Sequence, residues 1–112
     1  MNLNELAAEI HKNNRKWWPD DTKTRNKGEA IALMHSELSE ALEGERKNLK
    51  DEKLPHRPAA EVELADCIIR ILDYCYGFGY DIEGAVHEKI AYNLIREDHK
   101  LENRMLPNGK KF

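Results

Sequence analysis

Two pairs of acids stand out for their spacing. Glu37 and Glu40 lie three residues apart in "HSELSEALEGERK", and Glu63 and Asp66 lie three apart in "EVELADCIIRILDYC". Residues at i,i+3 share one face of a helix, so each pair presents two carboxylates side by side. The second pair sits in the most apolar run of the chain. A carboxylate left unpaired against a packed core costs several kcal/mol, while a whole domain is stable by only about 5–15 kcal/mol. Something must compensate. For a single acid an ion pair would serve: Glu37 with Lys89 across the core, or Asp66 with Arg70 one turn on. The stripe of acids could also face water. Four acids converging from two helices repel one another, however, and a divalent cation relieves that most effectively. Oxygen-only donors favour a hard ion, Mg²⁺ or Mn²⁺. Iron is not expected, because di-iron bundles use Glu-x-x-His pairs. None of His35, His56, His87 or His99 is placed that way, and His11 reads as a core or rim residue.

Positioning these acids requires helices. Apolar residues recurring at helical spacing predict four of them, over about 4–15, 28–47, 58–76 and 82–100, with Asp81 as the N-cap of the last. Strand signals are weak. At roughly 100° per residue, Glu37 falls inside the apolar arc of the second helix and Glu40 at its border. On the third, Glu63, Asp66, Arg70 and Asp73 form one narrow polar stripe. On the fourth, Lys89, Asn93 and Arg96 share the stripe of Ile82 and Val86. Two helices thus aim acids inward and one aims bases and an amide. The expected architecture is all-α, a four-helix-bundle-like single domain over residues 1–112. The third helix is apolar around most of its circumference, and a chain of this size buries only about 65% of its unfolded surface. A homo-oligomer would complete the core.

Composition narrows the partners. The net charge of −3 lacks the positive surplus of a nucleic-acid binder. No apolar run reaches the ~18 residues of a membrane span, and the N-terminus has no signal-peptide pattern. Cys67 and Cys75 are eight residues apart on one predicted helix, ~12 Å along its axis, too far for a disulfide, which needs Cα atoms within about 7 Å. They read as reduced thiols of a cytoplasmic protein.

Taken together, "HSELSEALEGERK" and "EVELADCIIRIL" resemble the MazG-like nucleoside triphosphate pyrophosphohydrolases of the all-α NTP pyrophosphatase superfamily. The family pattern is ExxE, a spacer, then ExxD; here the spacer is the 22 residues of 41–62. "EKIAYNLIR" resembles the family's K-x-x-x-N-x-x-R segment, "KWWPD" its tryptophan-bearing segment, and "NGKKF" its basic tail. Ser36 departs from the pattern, where many members carry another glutamate. The resemblance implies Mg²⁺-dependent hydrolysis of a (deoxy)nucleoside triphosphate to the monophosphate and pyrophosphate, with Mn²⁺ as a substitute ion, by a homodimer or homotetramer. Glu37, Glu40, Glu63 and Asp66 would hold the metal, and Glu37 or Glu40 would orient the water. Lys89, Asn93, Arg96 and Lys110 would meet the phosphates and Trp17 would stack on the base. Two other readings stay open: a dUTP- or dCTP-selective pyrophosphatase of the same superfamily, and a non-catalytic helical interaction module.

Overall fold

Asn2 opens the first helix. Its side chain accepts from Glu5 N at 2.8 Å while the Glu5 carboxylate accepts from Asn2 N at 3.1 Å. This reciprocal capping box satisfies donors that a helix start leaves orphaned. In the computed structural model, which describes residues 1–96 and 100–112, this helix, α1, spans Leu3–Asn14. Two short 3-10 turns, Arg15–Trp17 and Thr22–Thr24, follow it. Asn26 then caps α2, Lys27–Lys47, by accepting from Glu29 N at 2.9 Å. The helix ends at Asn48, whose left-handed φ of 51° turns the chain away. Pro58 leads into α3, Ala59–Gly77, and the left-handed Gly79, φ 76°, follows it. Asp81 caps α4, Ile82–Ile95, at Gly84 N, and one more turn, α5, spans Leu101–Arg104. Apart from an isolated bridge between Lys50 and Pro58, the described residues form no β-structure, so the class is all-α.

The fourth helix is shorter than its sequence pattern predicts. Arg96 takes an extended conformation, φ −72° and ψ 131°, which ends α4 at Ile95. Residues 97–99 lie outside the described residues.

The chain divides into two compact units, Met1–Tyr80 and Asp81–Phe112. In the first, α3 packs against both α1 and α2. The buried line of α2 is Ala30, Glu37, Ala41 and Gly44, three small residues and one acid. Small residues let the helices approach closely: a methyl group at Gly44 would stand 3.0 Å from Ala60 N and 3.2 Å from Ala59 Cβ. From α1 the core takes Ala7 and His11. From α3 it takes Ala60, Cys67, Leu72, Asp73, Tyr74 and Cys75. At the far end of α3 the indole of Trp18 lies directly against Gly77, where a methyl group would overlap the ring. The sequence pattern places Leu38 and Leu42 in the apolar arc of α2, yet both are exposed, as are Leu64 and Ile68 on α3. A single neighbouring helix covers only the narrow line through Glu37.

In the second unit, no residue of α4 or α5 is buried, and Leu94, Ile95, Leu101 and Met105 are exposed. Gly109 N donates to Leu106 O at 2.9 Å, close against the carbonyls of Asn103 and Arg104, so the chain turns back on α5. Among the described residues, no helix is long and apolar enough to cross a membrane.

Candidate functional site

The small-residue line of α2 carries Glu37 into the α2–α3 contact, where it is only 9% exposed. Its charge is met by Arg70, one turn beyond Asp66 on α3, whose Nε donates to Glu37 Oε1 at 3.0 Å. Glu63 and Asp66 project from the same stripe of α3. One carboxylate oxygen each from Glu37, Glu63 and Asp66 lies within 4.8 Å of the others. The two acidic motifs, 22 residues apart in sequence, therefore converge on one point.

Glu40 stands one turn along α2 from Glu37. It is exposed and lies outside that three-oxygen group, but it lines a cleft with Glu63 and Asp66. The electrostatics tie it in. The Glu63 carboxyl is pushed from its ordinary 4.5 to about 7. Loss of hydration is the largest cause, followed by sharing of its proton with Glu37 and Glu40 and by the charges of those two groups. Asp66 is also pushed up, first by loss of hydration and then by the Glu37 charge. Arg70 offsets part of this, while Asp51 and Glu40 add to it. The cluster holds more negative charge than one guanidinium neutralises. An all-oxygen donor set of this kind fits a hard divalent cation.

Two clefts flank the cluster within the first unit. One, of about 360 Å³, is lined by Asn14, Trp17, Arg25, Glu37, Asp66 and Arg70, among others. The second, of about 700 Å³, is lined by Glu40, Glu63 and Asp66 from the helices and by the connection between α2 and α3. Asp66 belongs to both walls, so the carboxylates separate the two spaces.

The adjacent tryptophans take opposite roles. Trp17 is 75% exposed at the edge of the smaller cleft, its indole available to a ligand. Trp18 is 6% exposed, and its Nε1 donates to Asp73 Oδ2 at 3.0 Å. Asp73 Oδ1 meets His11 Nδ1 at 2.8 Å, and Arg25 lies 3.8 Å from Asp73 and 4.2 Å over the Trp18 ring. Sequence reasoning assigns His11 to core or rim and leaves Asp73 without a role. The signal was there: Asp73 falls on the stripe of Asp66, two turns on. Asp51 is hidden for a different reason. It lies in what reads as a polar linker, and only the fold brings its charge to Asp66.

The basic residues expected to meet phosphate belong to the second unit. Lys89 is exposed, with Nζ 4.8 Å over the Tyr92 ring. Asn93 is half-buried, and its Oδ1 has no hydrogen-bond partner among the described residues. Arg96 is half-buried where α4 ends, and Lys110 is exposed. Set against protein-family models, curated proteins and solved structures, the chain matches none.

Proposed function

We propose that the chain is a Mg²⁺-dependent nucleoside triphosphate pyrophosphohydrolase. One observation carries this reading: the ExxE and ExxD carboxylates, Glu37, Glu63 and Asp66, bring an oxygen each within 4.8 Å of one another, with Glu40 at their rim. Glu37, Glu63, Asp66 and Glu40 would hold the ion. Mg²⁺ bound there supplies charge neutralisation for phosphate oxygens and lowers the pKa of coordinated water. Mn²⁺, with the same ligand preferences, would substitute.

The protein's own part is positioning, which is most of what phosphoryl transfer asks of an enzyme. Glu37 is tied at Oε1 by Arg70 and is only 9% exposed, which favours holding the ion over exchanging a proton with water. Glu40 is exposed on the larger cleft, which supports it, of the two candidates, as the acceptor of the water's proton. In the reaction, the water oxygen bonds to one phosphorus of the α–β anhydride. The bond from that phosphorus to the bridging oxygen breaks, and the bridging oxygen departs with the electron pair on the other fragment. The water's proton passes to Glu40 and then to solvent. Trp17, exposed beside Asn14 and Arg25, offers a stacking face for the base; stacking serves every base alike, so a base-selective variant of the same activity would need further contacts. Phosphate contacts by Lys89, Asn93, Arg96 and Lys110 are carried by the resemblance alone, and Lys89→Ala tests them through KM. The exposed apolar residues of α2 and α3 support assembly as a homodimer or homotetramer.

A pyrophosphate-release screen across the common ribo- and deoxyribonucleoside triphosphates, with Mg²⁺ and with chelator, tests the proposal. Metal-dependent release of pyrophosphate and monophosphate from at least one nucleotide is expected. Absence of turnover with every nucleotide would leave the non-catalytic module as the reading.

A further inference from the structure

The connection between α2 and α3 reads in sequence as a polar linker, yet it is a built hairpin. Ala59 N donates to Leu49 O at 2.9 Å, Asp51 N to Arg57 O at 3.1 Å and Arg57 N to Leu54 O at 2.9 Å, around the Lys50–Pro58 bridge. Asp51 locks the tip: its Oδ2 accepts from Lys53 N at 2.9 Å and from Leu54 N at 2.7 Å. This hairpin sets Lys50 and Lys53 in the wall of the larger cleft together with Asp51, whose carboxylate is taken by the backbone, and Glu52; Glu40, Glu63, Asp66 and the ion-paired Glu43 line it from the helices.

These two lysines differ from the other basic residues nearby. Lys47 and Arg46 are engaged by Glu43, Arg57 by Glu61 and Arg70 by Glu37. Lys50 and Lys53 make no ion pair among the described residues. A cleft lined by carboxylates repels a polyanion unless cations stand in its wall. Two lysines on a pre-formed hairpin supply them without the ordering cost of a loose loop.

The position of the cluster then fixes a direction. The scissile α–β anhydride must sit at the carboxylates, and Asp66 borders both clefts. One side offers an exposed tryptophan and an asparagine, with its two arginines, Arg25 and Arg70, engaged by Asp73 and Glu37; the other offers two lysines that make no ion pair among the described residues. We propose that Lys50 and Lys53 bind the β- and γ-phosphates, the fragment released as pyrophosphate, while the nucleoside occupies the Trp17 cleft. This inference rests on the proposed hydrolase reading and adds to it a polarity for the bound substrate.

The test is calorimetric and does not depend on turnover. Inorganic pyrophosphate with Mg²⁺, and separately a nucleoside monophosphate, are titrated into the wild-type chain, Lys50→Gln/Lys53→Gln and Trp17→Ala. Both lysines are exposed, and circular dichroism confirms folding. The lysine double variant is expected to bind pyrophosphate at least about tenfold more weakly and the monophosphate unchanged; Trp17→Ala is expected to do the reverse. Equal pyrophosphate affinity in wild type and double variant, or no binding by wild type, overturns the assignment. A chain that binds pyrophosphate through the lysines but hydrolyses no nucleotide would instead refute the hydrolase reading and keep the lysine site.

Discussion

Arg70 Nε donates to Oε1 of the buried Glu37 at 3.0 Å, so the cation and the acid at the centre of the site come from different helices and hold them together. The Arg70 side chain is 38% exposed and that of Glu37 12%, so the guanidinium is partly open to water while the carboxylate is enclosed.

Removing Arg70 separates its two effects. In Arg70→Ala the buried carboxylate loses its charged donor, and leaving a buried acceptor unsatisfied costs about 1–3 kcal/mol. The metal-free variant should therefore unfold at lower urea concentration than wild type. The same loss makes the cluster more negative, so Mg²⁺ should raise the melting temperature of the variant by more than it raises that of wild type. Thermal melts with and without Mg²⁺ read both. An Arg70→Ala protein as stable as wild type would show that water replaces the guanidinium at no cost.

The pH dependence has a definite sign. Glu63 titrates near 4.5 in its ordinary state and at about 7 in the folded chain. Between those values the folded state holds more protons than the unfolded one, so stability falls as pH rises. The contribution is complete below 4.5 and gone once pH passes about 7. Asp66, shifted in the same direction, adds to the trend. The metal-free protein should melt at a higher temperature near pH 5.5 than near pH 8, and Glu63→Gln should flatten the slope. Mg²⁺ binding displaces the shared proton, so calorimetry in buffers of different ionisation enthalpy should detect proton release around neutrality and little at alkaline pH.

Glu40 separates catalysis from folding. It is exposed and outside the three-oxygen group, and an isosteric amide can still bond the Glu63 carboxyl whose proton Glu40 shares, so the substitution removes no buried contact and should cost about 0.5 kcal/mol or less. A positioned acid–base group contributes about 10²–10⁴-fold in rate. Glu40→Gln should keep the wild-type melting curve and lose turnover by about that factor. Full activity in Glu40→Gln would move the proton-accepting role elsewhere.

The legible part of this molecule is the part that local chemistry decides. Asp81 announces a helix start because its side chain bonds an amide three residues on, a rule confined to one turn; Asn26 does the same for α2, although the sequence pattern places that start at residue 28 without a cap. Glu63 and Asp66 share a face because three residues separate them, and Glu37 reads as inward-facing from the residues of its own helix. What stays hidden depends on distant contacts. Trp17 and Trp18 are neighbours in sequence, and only the path of the 3-10 turn against α3 sends Trp18 to Gly77 and leaves Trp17 outside. Leu38 and Leu42 belong to the apolar arc of α2, but the arc is wider than the helix that covers it. Asp51 and the lysines beside it gain meaning from a hairpin whose backbone bonds join residues 49–51 to residues 57–59.

Asp73 tests whether that hidden part holds the fold. It is buried, and its two oxygens are divided between His11 Nδ1 at 2.8 Å and Trp18 Nε1 at 3.0 Å. It thereby fastens α1 and the 3-10 segment to the C-terminal half of α3. Asp73→Ala leaves both partners without their acceptor, at about 1–3 kcal/mol for each buried group orphaned. Asp73→Asn keeps one acceptor oxygen and turns an amide N–H₂ toward the other partner, so it should fall between alanine and wild type. Urea denaturation orders the three. In a Trp17→Phe background the fluorescence comes from Trp18 alone, and its emission should shift to the red in Asp73→Ala as the indole loosens from Gly77. Mg²⁺ affinity should barely change, because Asp73 is not among the three converging carboxylates. An Asp73→Ala chain with wild-type stability and unshifted emission would mean that apolar packing alone seats Trp18, and that the buried acid has another use.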